Sequence, residues 1–209
     1  MKVVETRDGS RTIFVSDLNE IYHSLHGALS EAKHVFIKNG LQAINKDEFF
    51  ILDIGFGTGE STLALKDMFP NSTICGIEAY KPGVKNLLDN KVFVHYGDAL
   101  ELLEKIEPDA ISKVFMLFPD PWQKKKHRKR RLFNTFTFNI IRKILKQSGL
   151  FQITTDNINY AIESKNIIRE VISKDISFSK TRGNRPITKF EKKAKERKNF
   201  IFDIIYIND

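Results

Sequence analysis

Phe49-Phe-Ile-Leu-Asp53-Ile-Gly55-Phe-Gly57-Thr-Gly59-Glu60 is the stretch on which the reading of this chain turns. Phe49 to Ile54 is a short apolar run with strand character, and it ends in a glycine-rich turn. Glu60 to Phe69 then reads as a helix stopped at Pro70. Glycines between a strand and a helix let the backbone approach a ligand closely, and the helix N-terminus offers free N–H donors. The spacing is G-x-G-x-G, not the G-x-G-x-x-G of dinucleotide-binding folds.

Downstream of this turn, strands and helices alternate. Thr73 to Ile77 reads as a second strand ending at Glu78, and Pro82 to Asp89 as a helix with proline at its start. Val92 to His95 is a third strand followed by Gly97-Asp98, and Ala99 to Ile106 is helical. Lys113 to Phe118 is a fourth strand. A helix from Leu132 to Gln147 is expected to end at Gly149. Leu150 to Thr154 is a fifth strand, and Thr155-Asp156-Asn157 caps a helix running to Ser173. Asp175 to Phe178 and Phe200 to Ile207 are two final strands joined by a long basic loop. The pattern predicts an α/β fold with a mostly parallel, seven-stranded sheet, a final antiparallel hairpin strand and helices on both faces.

Three acids stand at the ends of the first three of these strands: Asp53, Glu78 and Asp98. Ligands of open α/β sheets bind at the carboxyl ends of strands. There, Glu78 suits the two hydroxyls of a ribose and Asp98 an adenine amino group. Singly, each acid is a loop carboxylate in water; together they make a coherent adenosine site. No Lys-Ser/Thr phosphate loop is present, which argues against ATP.

After the fourth strand the chain reads Leu117-Phe-Pro-Asp120-Pro-Trp122-Gln-Lys124-Lys-Lys-His-Arg-Lys-Arg-Arg131. Two prolines restrict the backbone around Asp120. Trp122 presents an aromatic plane, and seven of the eight residues Lys124 to Arg131 are basic. A rigid carboxylate, an aromatic ring and dense positive charge suit holding a nucleobase while the phosphate backbone is gripped. Lys174 to Lys198 carries a second net +7, so with a formal total of +8 the rest of the chain stands at −6. This is a mildly acidic body with two concentrated basic segments, which points to a phosphate-rich partner. If the last two strands form a hairpin, both segments flank the strand ends and form one RNA cradle.

The 209 residues suffice for a single domain, 1-209, with residues 1–48 as an extension ahead of the glycine turn. Arg11 to Val15 reads as a short strand, and Asp17 to Lys38 as a helix ended by Asn39-Gly40. Cys75, the one cysteine, excludes an intrachain disulfide, and the five histidines are scattered, so no metal is expected. No signal peptide and no long apolar span is visible, so no membrane is expected and a cytoplasmic setting is.

LDIGFGTGE, GIEAY and GDA resemble the Rossmann-like fold of S-adenosylmethionine-dependent methyltransferases. Taken with FPDPWQKKKHRKRR, TTDNINYA and RPITKFE, they closely resemble the tRNA (guanine-N7)-methyltransferases over roughly residues 49 to 207. The resemblance implies transfer of a methyl group from S-adenosyl-L-methionine to N7 of guanosine 46 in the tRNA variable loop. It implies a donor site at Asp53, Gly55, Gly57, Gly59, Glu78, Asp98, Ala99 and Asp120, with Asp120 also the catalytic residue. It implies substrate contacts at Lys124, Asp156, Thr188, Lys189, Phe190 and Glu191, and RNA contacts at Lys126, His127, Arg128, Lys129, Arg130 and Arg131. The chain departs from the family at Asp53, where glutamate is usual, and after Glu191, where glycines are usual. A second resemblance points elsewhere. YHSLHGALSEAKHVFIKNG, residues 22–40, is similar to the segment ahead of the glycine loop in methyltransferases of the tRNA wobble uridine. The competing readings are therefore that activity, or an RNA-binding protein that keeps the fold without the chemistry.

Overall fold

A computed structural model describes residues 2–5, 11–15, 20–21 and 49–209. The chain divides into two units, Met1–Asn45 and Lys46–Asp209. In the first, β1 (Lys2–Glu5), β2 (Arg11–Val15) and β3 (Glu20–Ile21) form an antiparallel sheet in that order. The strand expected at Arg11 to Val15 is present. Glu20 and Ile21 fall within the helix expected from Asp17 to Lys38 but pair instead with Val15 and Phe14. Their backbone groups are satisfied across a ladder and not within a helical turn. The rest of that helix, its Asn39-Gly40 end and the whole of the 22–40 resemblance lie outside the described residues.

The second unit alternates strand and helix as expected. Its elements are β4 (Phe50–Ile54), α1 (Glu60–Met68), β5 (Thr73–Glu78), α2 (Lys81–Asp89), β6 (Phe93–Tyr96) and α3 (Ala99–Leu103). They continue with β7 (Ile111–Leu117), α4 (Thr135–Ile144), β8 (Leu145–Thr155), α5 (Ile158–Ile172), α6 (Lys189–Glu196) and β9 (Phe202–Ile207). The sheet order is β6-β5-β4-β7-β8-β9, with β9 alone antiparallel. Strand order reverses between β4 and β7. The crevice beyond their carboxyl ends is the topological switch point where such sheets bind ligands.

Side-chain alternation along β8 explains how both faces are covered. Leu150 packs with Ile51, Leu65, Ile74, Phe115 and Leu117, and Leu65 belongs to α1. The next residue, Phe151, points the other way and stacks on Phe133 at 5.3 Å and against Phe138 of α4 at 5.8 Å. Helices α1 and α4 thus lie on opposite faces. Phe133, Phe138 and Phe151 are fully buried, and each such ring contributes about 1.5–3 kcal/mol through burial.

Three local expectations differ from the structure. The sheet has six strands, not seven, among the described residues. Residues 175–178 form no ladder, and Phe178 packs its ring on Phe202 at 5.3 Å. A hydrogen bond from Ser179 N to Asp203 O, 2.7 Å, ties the segment to β9. Second, the helix expected from Leu132 to Gln147 starts at Thr135 and stops at Ile144. Asn134 caps it by accepting from Thr137 N at 3.1 Å. Leu145 then pairs with Ile111 and opens β8, which a register irregularity separates from Leu150. Third, the loop expected before the last strand contains α6, capped by Thr188, whose hydroxyl accepts from Glu191 N at 3.1 Å.

Candidate active site

The glycine turn is held open by its neighbours. Gly55, Gly57 and Gly59 have φ of 74°, 62° and 90°, the left-handed region that side chains resist. Gly55 N donates to Ile77 O at 2.8 Å and so ties the turn to β5. From α2, Gly83 presses so close that a Cβ there would lie 1.7 Å from Gly57 O. On its other side the turn is free, since a Cβ on Gly55 or Gly57 would meet nothing within 4 Å. Among the described residues, then, the turn is backed by α2 and open on its outer side.

Asp53, near the end of β4, is fully buried. Its Oδ2 accepts from Ser61 Oγ at 3.0 Å and Thr62 Oγ1 at 2.8 Å, both in the first turn of α1. Its Oδ1 is buried without a hydrogen-bond partner among the described residues. Burial pushes the carboxyl up from the ordinary 3.8 to about 6. The two hydroxyl bonds oppose this and the charge of Glu78 adds to it. Glu78, half-buried at the end of β5, accepts from Gly57 N at 2.7 Å and from Ala79 N and Tyr80 N at 2.8 and 3.0 Å. It is the clasp between the glycine turn and the second strand end. Asp98 is exposed and caps α3, accepting from Leu100 N at 2.9 Å, and Ala99 behind it is buried. A hydrogen bond from Gly97 N to Glu78 O, 3.1 Å, joins these two loops. The structure brings Asp53, Glu78 and Asp98 to three adjacent strand ends.

Asp120 follows β7 on a turn that is anchored from both sides. Phe118 N donates to Thr154 O at 2.7 Å, and Arg131 Nε donates to Pro121 O at 2.7 Å. Phe118 and Trp122 bracket the turn with φ of 55° and 38°. The Asp120 side chain is exposed. Trp122 is half-buried, with the His127 ring edge-on at 5.7 Å and the Arg130 guanidinium over its face at 5.2 Å. Lys125–Arg130 forms a 3-10 helix with no buried residue, preceded by the exposed Lys124. A cleft of about 430 Å³ lined by Arg128, Asn159, Glu163 and Asn166 continues from it along α5.

Arg131 does not belong with these exposed cations. It is 5% exposed, is ion-paired to Glu163 and lies over the Tyr160 ring at 4.6 Å. The charge run alone cannot reveal this, because nothing local separates Arg131 from its neighbours.

The end of the chain folds back to the glycine turn. Lys189 Nζ donates to Thr58 Oγ1 at 2.7 Å, and Phe190 stacks on Phe118 at 6.2 Å. Asp156, half-buried after β8, accepts from Asn199 Nδ2 at 3.0 Å. Glu191 is buried and paired with Arg185 at 2.5 Å and Lys195 at 2.7 Å, so its carboxylate serves this loop. Burial alone would raise its pKa, but hydrogen bonds from Lys195 and Arg185 hold it below the ordinary value. Sequence reasoning misses Arg185, although this residue opens RPITKFE. It is 2% exposed and reaches Asp203 with Nε at 2.6 Å and Nη2 at 2.9 Å. Asp203 also accepts from Gln152 and Thr154 of β8. Arg185 therefore locks α6, β8 and β9 together.

No group of three or more metal-ligating side chains occurs among the described residues. No helix among them is long and apolar enough to cross a membrane.

Residues 47–204 match a family model described as a putative methyltransferase. A tRNA (guanine-N(7)-)-methyltransferase of Buchnera aphidicola subsp. Schizaphis graminum is 40% identical over 170 residues, covering 75% of this chain and 71% of the relative. An enzyme of the same name from Shewanella amazonensis is 32% identical over 184 residues, covering 79% and 77%. Among solved structures, a SAM-dependent methyltransferase from Archaeoglobus fulgidus matches with TM-score 0.50 and 15% identity, covering 87% of this chain and 95% of that one. An aminoglycoside resistance methyltransferase matches with TM-score 0.53 and 14% identity, covering 82% and 93%. These two establish the fold.

Proposed function

The chain belongs to the tRNA (guanine-N7)-methyltransferase family, and from that premise we propose how its residues divide the work. The reaction is methylation of guanine N7 in tRNA with S-adenosylmethionine as donor. The residues present fit this donor. Gly55 and Gly57 have open space where a Cβ would stand, and Asp53 just ahead of them keeps a buried carboxylate oxygen without a partner among the described residues. In our reading Asp53, Gly55, Gly57, Gly59, Glu78, Asp98 and Ala99 hold the donor, and Asp120 borders it. The donor supplies an electrophilic methyl group on a sulfonium.

Guanine N7 carries an in-plane lone pair and no proton, so no general base is needed. The chain's task is alignment, which can supply about 7–11 kcal/mol of the barrier. As the methyl group arrives, positive charge develops on the purine. Asp120, fixed between two prolines and anchored through Pro121 O, stabilises that charge. Asp156 accepts from the N1–H and amino group of guanine, which adenine does not present in that arrangement. Phe190, half-exposed on Phe118, lends a ring to the same pocket. Lys124, Lys126, His127, Arg128, Lys129 and Arg130 line the phosphate path, while Arg131 works from inside. Guanosine 46 of the variable loop is the target in this proposal, with residues 1–48 an extension ahead of the catalytic unit and a cytoplasmic setting.

The observation that carries this reading is the closure of the last loop onto the other two. Lys189 touches the glycine turn and Phe190 touches the turn of Asp120. Donor-side and acceptor-side loops thereby meet at one edge of the sheet. Incubation with methyl-labelled donor and unmodified tRNA, followed by nucleoside analysis, tests it. Label in 7-methylguanosine is expected. Label in a wobble uridine would transfer the reading to the residues 22–40 resemblance, and bound donor and tRNA without label would indicate a binding protein.

A further inference from the structure

Lys189 reaches Thr58 across 131 positions of sequence, with Nζ to Oγ1 at 2.7 Å. Thr58 stands between Gly57 and Gly59, so the ammonium sits on the glycine turn. The lysine is half-buried, and its ammonium lies 5.5 Å from the centre of the Phe190 ring. Among the described residues no carboxylate forms an ion pair with it. Glu191, two residues on, is taken by Arg185, Arg182 and Lys195. Glu60 accepts only a long bond from the Thr58 hydroxyl, 3.4 Å. A partly desolvated cation held by a neutral hydroxyl has unspent capacity for an anion.

Asp53, two residues ahead of Gly55, has a fully buried Oδ1 that is unpartnered among the described residues. The turn thus carries a cation whose hydrogen-bond partner among the described residues is a neutral hydroxyl, which suits the carboxylate of an α-amino acid. We propose that Lys189 binds the carboxylate at the amino-acid end of S-adenosylmethionine, and so is a donor-binding residue and not a guanosine-binding one. This rests on the donor site proposed above. It gives the last loop a second purpose: Thr188 and Phe190 flank Lys189, so a bound donor fastens the loop that also faces the base.

Calorimetric titration without tRNA tests this, using S-adenosylhomocysteine and 5′-methylthioadenosine, which lacks the amino-acid end. The wild-type protein is compared with Lys189→Gln and Lys189→Arg. The glutamine variant should bind S-adenosylhomocysteine about tenfold or more weakly, as expected for a lost charge-assisted hydrogen bond, and 5′-methylthioadenosine as wild type does. The arginine variant should recover most of the loss. Unchanged S-adenosylhomocysteine affinity overturns the proposal. So does equal weakening of both ligands, which would make Lys189 a support of loop shape alone. Wild-type protein that binds neither ligand would overturn the donor site itself. Wild-type protein that binds both keeps that site standing whatever the variants do.

Discussion

Arg131 Nε donates to the carbonyl oxygen of Pro121 at 2.7 Å, from a side chain buried against Tyr160 and paired with Glu163. The last cation of the basic run therefore faces inward and anchors the turn that carries Asp120.

Removing that anchor should impair the chemistry before it impairs RNA binding. For Arg131→Met we expect kcat to fall by about ten- to hundredfold, the size of effect that a displaced catalytic group produces. The dependence of tRNA affinity on salt should not change, because a buried guanidinium neutralises no phosphate. Single-turnover methylation and salt-titrated binding check both parts. A flatter salt dependence with unchanged kcat would put Arg131 on the RNA after all.

The exposed neighbours should behave in the opposite way. Arg128 and Arg130 are solvent-facing on the 3-10 helix. Replacing both by alanine should weaken tRNA binding broadly and flatten the log–log salt dependence by about one unit per lost phosphate contact. Donor affinity, measured without tRNA, should stay as in wild type. An unaltered slope would remove these residues from the phosphate path.

Arg185 should matter most to stability. Its loss leaves Asp203 and Glu191 buried without their shared cation. Breaking a buried pair on one side costs about 3–5 kcal/mol. Arg185→Met should therefore unfold on the order of 10 °C lower by calorimetry. Glu191 is held below its ordinary pKa, so its contribution is present above pH 4.5 and fades as pH drops further. The gap between wild type and variant should narrow in acid. A gap independent of pH would mean that the pairing with Glu191 contributes little.

Asp53 has the reverse sign. Its folded pKa of about 6 lies above the ordinary 3.8, so the native state holds that proton more tightly. Ionised Asp53 then costs about 3 kcal/mol at neutral pH. That cost is absent below pH 3.8, grows as pH rises towards 6 and is constant beyond. Without donor, Asp53→Asn should be more heat-stable than wild type at pH about 7.5 and lose the advantage near pH about 4. Its affinity for S-adenosylhomocysteine should be weaker. Thermal unfolding across pH checks the sign, and an advantage that persists in acid would contradict it.

Local pattern makes the parallel sheet, the glycine turn and the strand-end acids legible in the amino-acid sequence. Periodicity cannot place the end of α4, since Leu145 fits a helical stripe and is claimed by a ladder with Ile111. The threonine–glutamate spacing of a helix cap is visible at Thr188 and Glu191. Both residues also fall in RPITKFE, where a substrate role competes with the capping one. Arg131 is illegible for another reason: its partner Glu163 lies 32 residues away, and only the fold brings them together. The Lys189–Thr58 contact is longer-range still.

The most direct test of the whole account is to map the modified position on tRNA methylated by the purified protein. Borohydride reduction and aniline cleavage cut the chain at 7-methylguanosine, because N7 methylation labilises the imidazole ring. The account predicts a single cut at guanosine 46, abolished when that guanosine is replaced by adenosine and absent with Asp120→Asn. Cleavage elsewhere, or none while label accumulates on a pyrimidine, would contradict it.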